Sequence, residues 1–248
     1  MTDMSLNLQI ERWLVDRKNQ FRETDRPFTT LAYAQSWDGS ISTAQGKTIA
    51  LSGKAARKLT HQLRSLHDGI LVGIETVLSD NPQLTVRECS GNNPQPIVLD
   101  SRLRMPDYAK LHQHPDKKCW LLTLKKNQDR ERAAQETENE KQLIMNIPNV
   151  NNEDFVPLKP AMKLLREKGI RSLMVEGGAK VITEFLKAGL ADAIILTIAP
   201  RLIGGYQAVG DLELNHFHES PCISSMYVEK LETDLIVWGE LQYGVGMQ

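Results

Sequence analysis

Apolar residues at Leu6, Ile10, Trp13, Leu14 and Phe21 recur at nearly helical spacing, which predicts an amphipathic lead-in helix docked at the periphery of the body. After Pro27 the run Phe28 to Ala34 is rich in Thr, Leu and Tyr and reads as a strand, with Asp38-Gly39 supplying turn chemistry beyond it. Ser52 is a suitable N-cap for a following helix that buries Leu59, Leu63 and Leu66 on one face. Gly69 to Ile74 is a short apolar strand. Further strands are predicted at Pro96 to Leu99, Cys119 to Leu124, Leu143 to Ile147, Leu173 to Val175, Ala193 to Ile198 and Leu235 to Trp238. Helix-like segments, Pro160 to Lys168 and Ala179 to Ala188, fall between them.

Strands alternating with helices of this length predict an α/β fold around one mostly parallel central sheet, with an antiparallel edge near the C-terminus. The stretch from Lys125 to Gln142 is almost wholly charged and polar, so it reads as a solvated helix or surface insertion, not as a domain linker. With 248 residues and 41% hydrophobic content the chain can bury a real core, read here as a single domain over 26–248 behind a lead-in segment, 1–25.

Charge and cysteine narrow the function. Lys and Arg total 30 against 31 for Asp and Glu, so no global field draws in nucleic acid or an anionic membrane. Cys89, Cys119 and Cys222 are scattered, odd in number and not at metal or disulfide spacing, which fits a reducing compartment. Charges at Asp3, Glu11, Arg12, Asp16 and Arg17 interrupt any apolar signal core, and the expectation is a cytoplasmic protein.

Candidate chemistry sits just past the strands. In Leu173-Met-Val-Glu-Gly-Gly-Ala-Lys180 a strand runs through Glu176, Gly177 and Gly178 into a helix, a junction where backbone amides and the helix dipole can hold a phosphate. By itself this is a weak motif, because the third glycine of G-x-G-x-x-G is missing and such turns are more often structural. The stretch Thr76 to Arg87 reads as a loop that brings Thr76, Asp80 and Arg87 beyond a strand, against the plainer reading of an Asp-Asn-Pro turn with a surface arginine. In Asp100-Ser-Arg-Leu-Arg104, two arginines beside a hydroxyl suit a monophosphate such as the one that separates NADPH from NADH, and equally suit solvated loop charges. His112, His114, His216 and His218 lack partners at metal-ligand spacing and read as surface histidines, so no metal is assigned.

The segments Arg26-Pro-Phe-Thr-Thr-Leu, Tyr33-Ala-Gln-Ser-Trp-Asp-Gly39, Leu71 to Arg87, Ile97-Val-Leu-Asp-Ser101, Met174-Val-Glu-Gly-Gly178 and Ala199-Pro-Arg-Leu-Ile-Gly-Gly205 occur in that order. Together they resemble the riboflavin-biosynthesis pyrimidine reductases, which occur alone or as the C-terminal half of RibD-type deaminase/reductases. The resemblance implies a dihydrofolate-reductase-like fold with helices on both faces of the sheet, NADPH along its carboxyl edge, and usually a homodimer. It implies reduction of a ribosylamino-pyrimidine 5′-phosphate to the ribitylamino compound, with hydride arriving at C1′ of the sugar. It places Ala34, Thr76, Asp80, Ser101, Gly177, Gly178, Ala179, Lys180, Val181, Ile182, Thr183 and Glu184 at the cofactor, and Thr48, Arg64, Leu84, Arg87 and Glu176 at the substrate. Arg64 and Arg87 would then neutralise the substrate phosphate, Glu176 would accept from sugar or ring donors, and Asp80 would be the proton source.

The chain departs from the family pattern at Ala32, where bifunctional members carry lysine, and at Ala50, Glu75 and Asn81. No H-x-E with a downstream P-C-x-x-C occurs, so this sequence holds no zinc deaminase site. The wording Tyr33-Ala-Gln-Ser is closer to stand-alone reductases, which favours the diamino-pyrimidinone substrate over the deaminated uracil. The alternatives are a reductase of the same fold acting on a pterin or dihydrofolate, and a non-catalytic NADPH-binding protein.

Overall fold

The computed structural model describes residues 5–23, 25–43, 49–124, 142–148 and 154–244. The charged stretch 125–142 lies outside them except for Gln142, which opens a strand.

The first helix, α1 (Leu6–Gln20), is followed by β1 (Phe28–Ser36), β2 (Ser40–Ser42), α2 (Lys54–Ser65), β3 (Gly69–Gly73) and α3 (Ile74–Asp80). Next come β4 (Gln95–Leu99), β5 (Cys119–Leu124), β6 (Gln142–Ile147), α4 (Leu158–Glu167), β7 (Ser172–Gly177) and α5 (Ala179–Lys187). The chain closes with β8 (Ala193–Ala199), β9 (Tyr206–Gln207), β10 (Cys222–Leu231) and β11 (Asp234–Gln242). Nine strands form one sheet in the order β10-β11-β8-β1-β7-β3-β4-β5-β6, while β2 and β9 form a separate pair. From β8 to β6 all neighbours are parallel, and β11 and β10 add the antiparallel edge that the sequence predicts.

Period-2 alternation in the strands divides the core between the two faces. Leu31, Leu71, Ile97 and Leu173 pack toward α4 and α5, where Met162, Leu165, Ile182 and Phe185 meet them. Phe28, Ala32, Met174 and Ile195 face the other way, under α1 and α2. Ile10 and Leu14 of α1 are fully buried there, each worth roughly 1.5–3 kcal/mol, so the lead-in helix is part of the core and not only a peripheral addition. Among the described residues no helix is long and apolar enough to cross a membrane.

Several local expectations are corrected. Ser52 is not the cap of α2: the N-cap is Gly53, whose N–H donates to Asp234 Oδ2 at 2.8 Å, so the capping carboxylate comes from the start of β11. The segment after β3 begins as a helix and becomes a loop only from Asn81 to Arg87. Ile74 starts the helix, Ile74 and Val77 are buried, and Asn81 stops it at φ +44, a left-handed position that Asn tolerates. Strand β10 was not expected, because it lies at the sheet edge with most of its residues exposed or half-buried and shows no burial period. His112 and the His114 side chain are buried beneath a short 3-10 turn at Lys110–Gln113, not on the surface, whereas His216 and His218 are exposed and stacked at 5.3 Å.

His67 ties α2 to β1. Its Nδ1 lies 2.7 Å from the Leu63 carbonyl, which can only accept, so Nδ1 carries the proton and Nε2 accepts from Thr30 Oγ1 at 2.9 Å. Burial pushes its pKa from 6.5 down to about 4. The native imidazole is therefore neutral while the unfolded one takes up a proton, so its stabilisation is complete above pH 6.5 and is lost as pH falls toward 4. The expected loss is on the order of 3 kcal/mol. Thermal melts between pH 7.5 and 4.5 should show it, and His67→Gln should flatten that part of the profile.

Candidate active site

Strands β3 to β6 step outward to one edge of the sheet, then β7 returns to fill the place between β3 and β1, and β8 lands on the far side of β1. Crossovers that diverge in this way leave a crevice at the carboxyl ends of the strands. A cavity of about 1500 Å³ lies there, reached by Ala34 of β1, Glu176 of β7, Gly73 of β3 and Leu99 of β4. That volume exceeds the roughly 300–1,000 Å³ of a typical small-molecule pocket and can hold two ligands side by side.

One wall is built from backbone. Gly178 sits at φ +83 and ψ 139, and a Cβ there would stand 2.9 Å from Thr76 Oγ1, so the turn fits flush against α3 only as glycine. The Thr76 hydroxyl donates to the Gly177 carbonyl at 3.1 Å and locks the two together. Helix α5 starts here without any side-chain cap, so its first-turn amides lack intrahelical carbonyls where Ala179, Lys180 and Val181 line the cavity. Uncapped amides and a positive dipole end form a seat for phosphate oxygens. Asp80, one turn after Thr76, also lines the cavity, with Ser79 Oγ donating to it at 2.7 Å. Beyond β4, Ser101 accepts the Val156 N–H at 3.0 Å, and beside Val156 the Phe155 ring lies under the Lys180 ammonium.

The opposite wall carries charge. Arg64 of α2 forks onto Glu176, Nε to Oε1 at 2.5 Å and Nη2 to Oε2 at 2.7 Å, and its Nη1 donates to the Thr85 carbonyl at 2.8 Å. Burial alone would lower the Arg64 pKa, but the Glu176 carboxylate more than offsets this and raises it. Arg87 Nη1 donates to Thr85 Oγ1 at 2.9 Å, and its backbone N–H donates to His61 Nδ1 at 3.1 Å. Burial, helped by Arg64 and Arg87, lowers the His61 pKa, so the ring is neutral and can accept.

The structure brings together Ala34, Thr76, Asp80, Ser101 and Glu176, and also Gly178, Ala179, Lys180, Val181, Ile182 and Glu184 of the turn and α5. Other expected residues fall elsewhere. Gly177 is buried behind the turn, and Thr183 points inward, donating to the Ala179 carbonyl at 2.7 Å and accepting the Gly210 N–H at 2.8 Å. Leu84 is 1% exposed in the core at φ +54, so its side chain is closed to a ligand. Arg64 is not a free phosphate arm, because Glu176 occupies its fork, and Arg87 stands beside it, exposed and off the cavity wall. Thr48 lies outside the described residues. Among the described residues no three His, Cys, Asp or Glu side chains gather as a metal-binding group.

Sequence reading missed residues that only the fold brings in. Tyr33 lines the cavity, half-buried, and burial pushes its hydroxyl up to about 12, which keeps it a donor. Its hydroxyl has no hydrogen-bond partner among the described residues. Ile41, Ser42 and Tyr206 form a rim that depends on Asp38. The Asp38 carboxylate accepts the Ser36 hydroxyl, the N–H groups of Ile203 and Gly204, and the Ser40 hydroxyl, and these bonds hold it well below the usual carboxylate range. Gly205 completes the clamp, since a side chain there would collide with the Ser42 carbonyl. The signal was present in two separate motifs, Ser36-Trp-Asp-Gly39 and Ala199 to Gly205, whose shared purpose appears only when they meet.

Comparison with known proteins places this geometry. A family model described as the RibD C-terminal domain matches residues 27–237. Riboflavin biosynthesis protein RibD of Aquifex aeolicus (strain VF5) is 35% identical over 215 residues, which cover 86% of this chain and 58% of that protein. The 2,5-diamino-6-ribosylamino-4(3H)-pyrimidinone 5′-phosphate reductase of Debaryomyces hansenii is 34% identical over 192 residues, 73% of this chain and 78% of the relative. The solved riboflavin biosynthesis reductase of Saccharomyces cerevisiae superposes with a TM-score of 0.69 at 27% identity, covering 94% of this chain and all of that one.

Proposed function

The chain belongs to the RibD C-terminal domain family, and on that premise we propose that it reduces a ribosylamino-pyrimidine 5′-phosphate to the ribitylamino product in riboflavin biosynthesis, with NADPH as reductant. The diamino-pyrimidinone is favoured over the deaminated uracil, because relatives named for it align over most of their own length. One observation carries the reading: a single cavity has an uncapped helix start on one wall and a carboxylate held by arginine on the other. The work is assigned to a single domain over 26–248, in the cytoplasm. A homodimer completes the reading, and the outer edge of β10, with Met226, Tyr227 and Val228 exposed, is an apolar surface that a second copy would cover.

A dinucleotide fits the first wall. Its diphosphate would meet the amides of Ala179 to Val181, and the Cβ-free surface of Gly178 lets the backbone approach closely. When bound, the nicotinamide supplies the hydride to C1′. As that bond forms, the C1′–O4′ bond opens and O4′ takes a proton, a delivery assigned to Asp80 on the cavity wall. Glu176, held rigid by Arg64, keeps lone pairs for sugar hydroxyls or ring amino groups. Arg87 stands outside the cavity wall but is exposed and spends only Nη1 on Thr85, so the rest of its fork is assigned to a sugar phosphate that projects from the cavity toward it. Hydride transfer needs C1′ held against the nicotinamide in a dry site, and these contacts supply the positioning.

Purified protein mixed with NADPH and the diamino substrate should lose absorbance at the reduced-nicotinamide band. No loss with either substrate form would end the reading. Arg87→Ala should raise KM for the phosphorylated substrate by about tenfold or more, the scale of one hydrogen bond to a charged group, while the Kd for NADPH stays unchanged.

A further inference from the structure

The sheet order gives the cavity a direction. Strands β1, β7, β3 and β4 lie side by side in that sequence, and the Gly177–Gly178 turn follows β7. A dinucleotide with its diphosphate at this turn and its nicotinamide toward β1 and Glu176 extends its adenosine half over the ends of β3 and β4. The groups that wait there are Glu75, two residues past β3, and the loop that carries Arg102 and Arg104 past β4. Glu75 and Arg104 both line the cavity and form an ion pair that bridges the two segments. Neither belongs to the core: their side chains are 71% and 42% exposed.

The chemistry of the pair is that of cofactor choice. In dinucleotide sites a carboxylate beside the adenosine ribose accepts from the 2′-hydroxyl, whereas an arginine there accommodates a 2′-phosphate. Here one group of each kind stands at the same place and holds the other. We propose that the Glu75–Arg104 pair sets the preference between phosphorylated and unphosphorylated nicotinamide dinucleotides: Arg104 is the ligand of the 2′-phosphate, and Glu75 restrains the preference by competing for it. A 2′-phosphate has to displace the Glu75 carboxylate from Arg104 and then sits near its negative charge. A bare 2′-hydroxyl meets neither cost, because it can donate to Glu75 directly. Discrimination by Arg104 is therefore weaker than an arginine without that neighbour would give. The inference rests on the dinucleotide reading proposed above and goes beyond it in naming the residues that choose.

Titration of reduced-nicotinamide fluorescence gives Kd for NADPH and for NADH separately, without turnover. The test compares wild type, Glu75→Gln and Arg104→Ala, whose exposed side chains leave the fold intact. Glu75→Gln should raise the affinity ratio of NADPH to NADH about two- to fivefold, the scale of an exposed, solvent-screened ion pair. Arg104→Ala should lower that ratio roughly tenfold, the scale of one hydrogen bond to a charged group. An unmoved ratio in either variant, or a fall in Glu75→Gln, overturns the inference while the dinucleotide reading stands. Wild type that binds neither cofactor overturns both.

Discussion

Gly178→Ala should bind NADPH at least about tenfold more weakly than the wild type and should lose about 1–3 kcal/mol of stability. The stability loss follows from the backbone, because φ +83 with ψ 139 lies where glycine is nearly alone, and holding another residue there costs on that order. The binding loss has a separate cause. The new Cβ would stand 2.9 Å from Thr76 Oγ1, so the turn has to move off α3, the Thr76 bond to the Gly177 carbonyl breaks, and the amides of α5 leave the cavity wall. Gly169→Ala separates the two effects. Gly169 is also at positive φ, +92, but a Cβ there meets nothing within 4 Å, so this variant should lose stability and keep its cofactor affinity. Calorimetric melts and fluorescence titration on both variants decide the matter. Equal and unchanged Kd values would remove the turn from the binding site.

Arg64→Ala should lower the melting temperature by roughly 10 °C and abolish turnover. Its side chain and that of Glu176 are 11% and 15% exposed, and removing one partner leaves a carboxylate in a half-dry wall. Breaking a buried pair costs about 3–5 kcal/mol, and the water that still reaches this one argues for the lower end. For a domain of this size each kcal/mol corresponds to about 2–4 °C. Arg64→Lys should rescue little, because an ammonium cannot engage both Glu176 oxygens and the Thr85 carbonyl together. Glu176→Gln, which keeps the shape but not the charge, should still fold and should lose kcat. If Arg64→Ala melts within a degree or so of the wild type, Arg64 is a free arm for substrate and the pair has no structural part.

Of the residues substituted in these predictions the sequence singled out Gly178, Arg64 and Glu176, and the structure gives Arg64 a different task. Arg64 was legible as a substrate-side cation because its motif resembles a family's. That it orients Glu176 was not legible, since the two lie 112 residues apart and only the packing of α2 over the end of β7 brings them within reach. Leu84 and Thr183 matched by position, but the burial of one and the inward hydrogen bonds of the other remove their side chains from the site. Tyr33 went unnoticed because a tyrosine in an apolar strand looks like core until the sheet edge above it proves to be open.

Local pattern alone determined that Phe28, Leu71 and Met174 lie on strands, that α5 follows a glycine pair, and that the sheet is mostly parallel, because the periods of apolar residues and the turn chemistry act over a few residues. Tertiary structure decided the rest. Insertion of β7 between β1 and β3 opens the crevice, Asp234 caps a helix start 181 residues away, and Glu75 at the start of α3 meets Arg104 of the loop after β4. The physical reason is the same in each case. Such contacts depend on which strands become neighbours, and that choice is made by burying whole faces of helices and sheet together, a condition on the entire chain that no short stretch of it encodes.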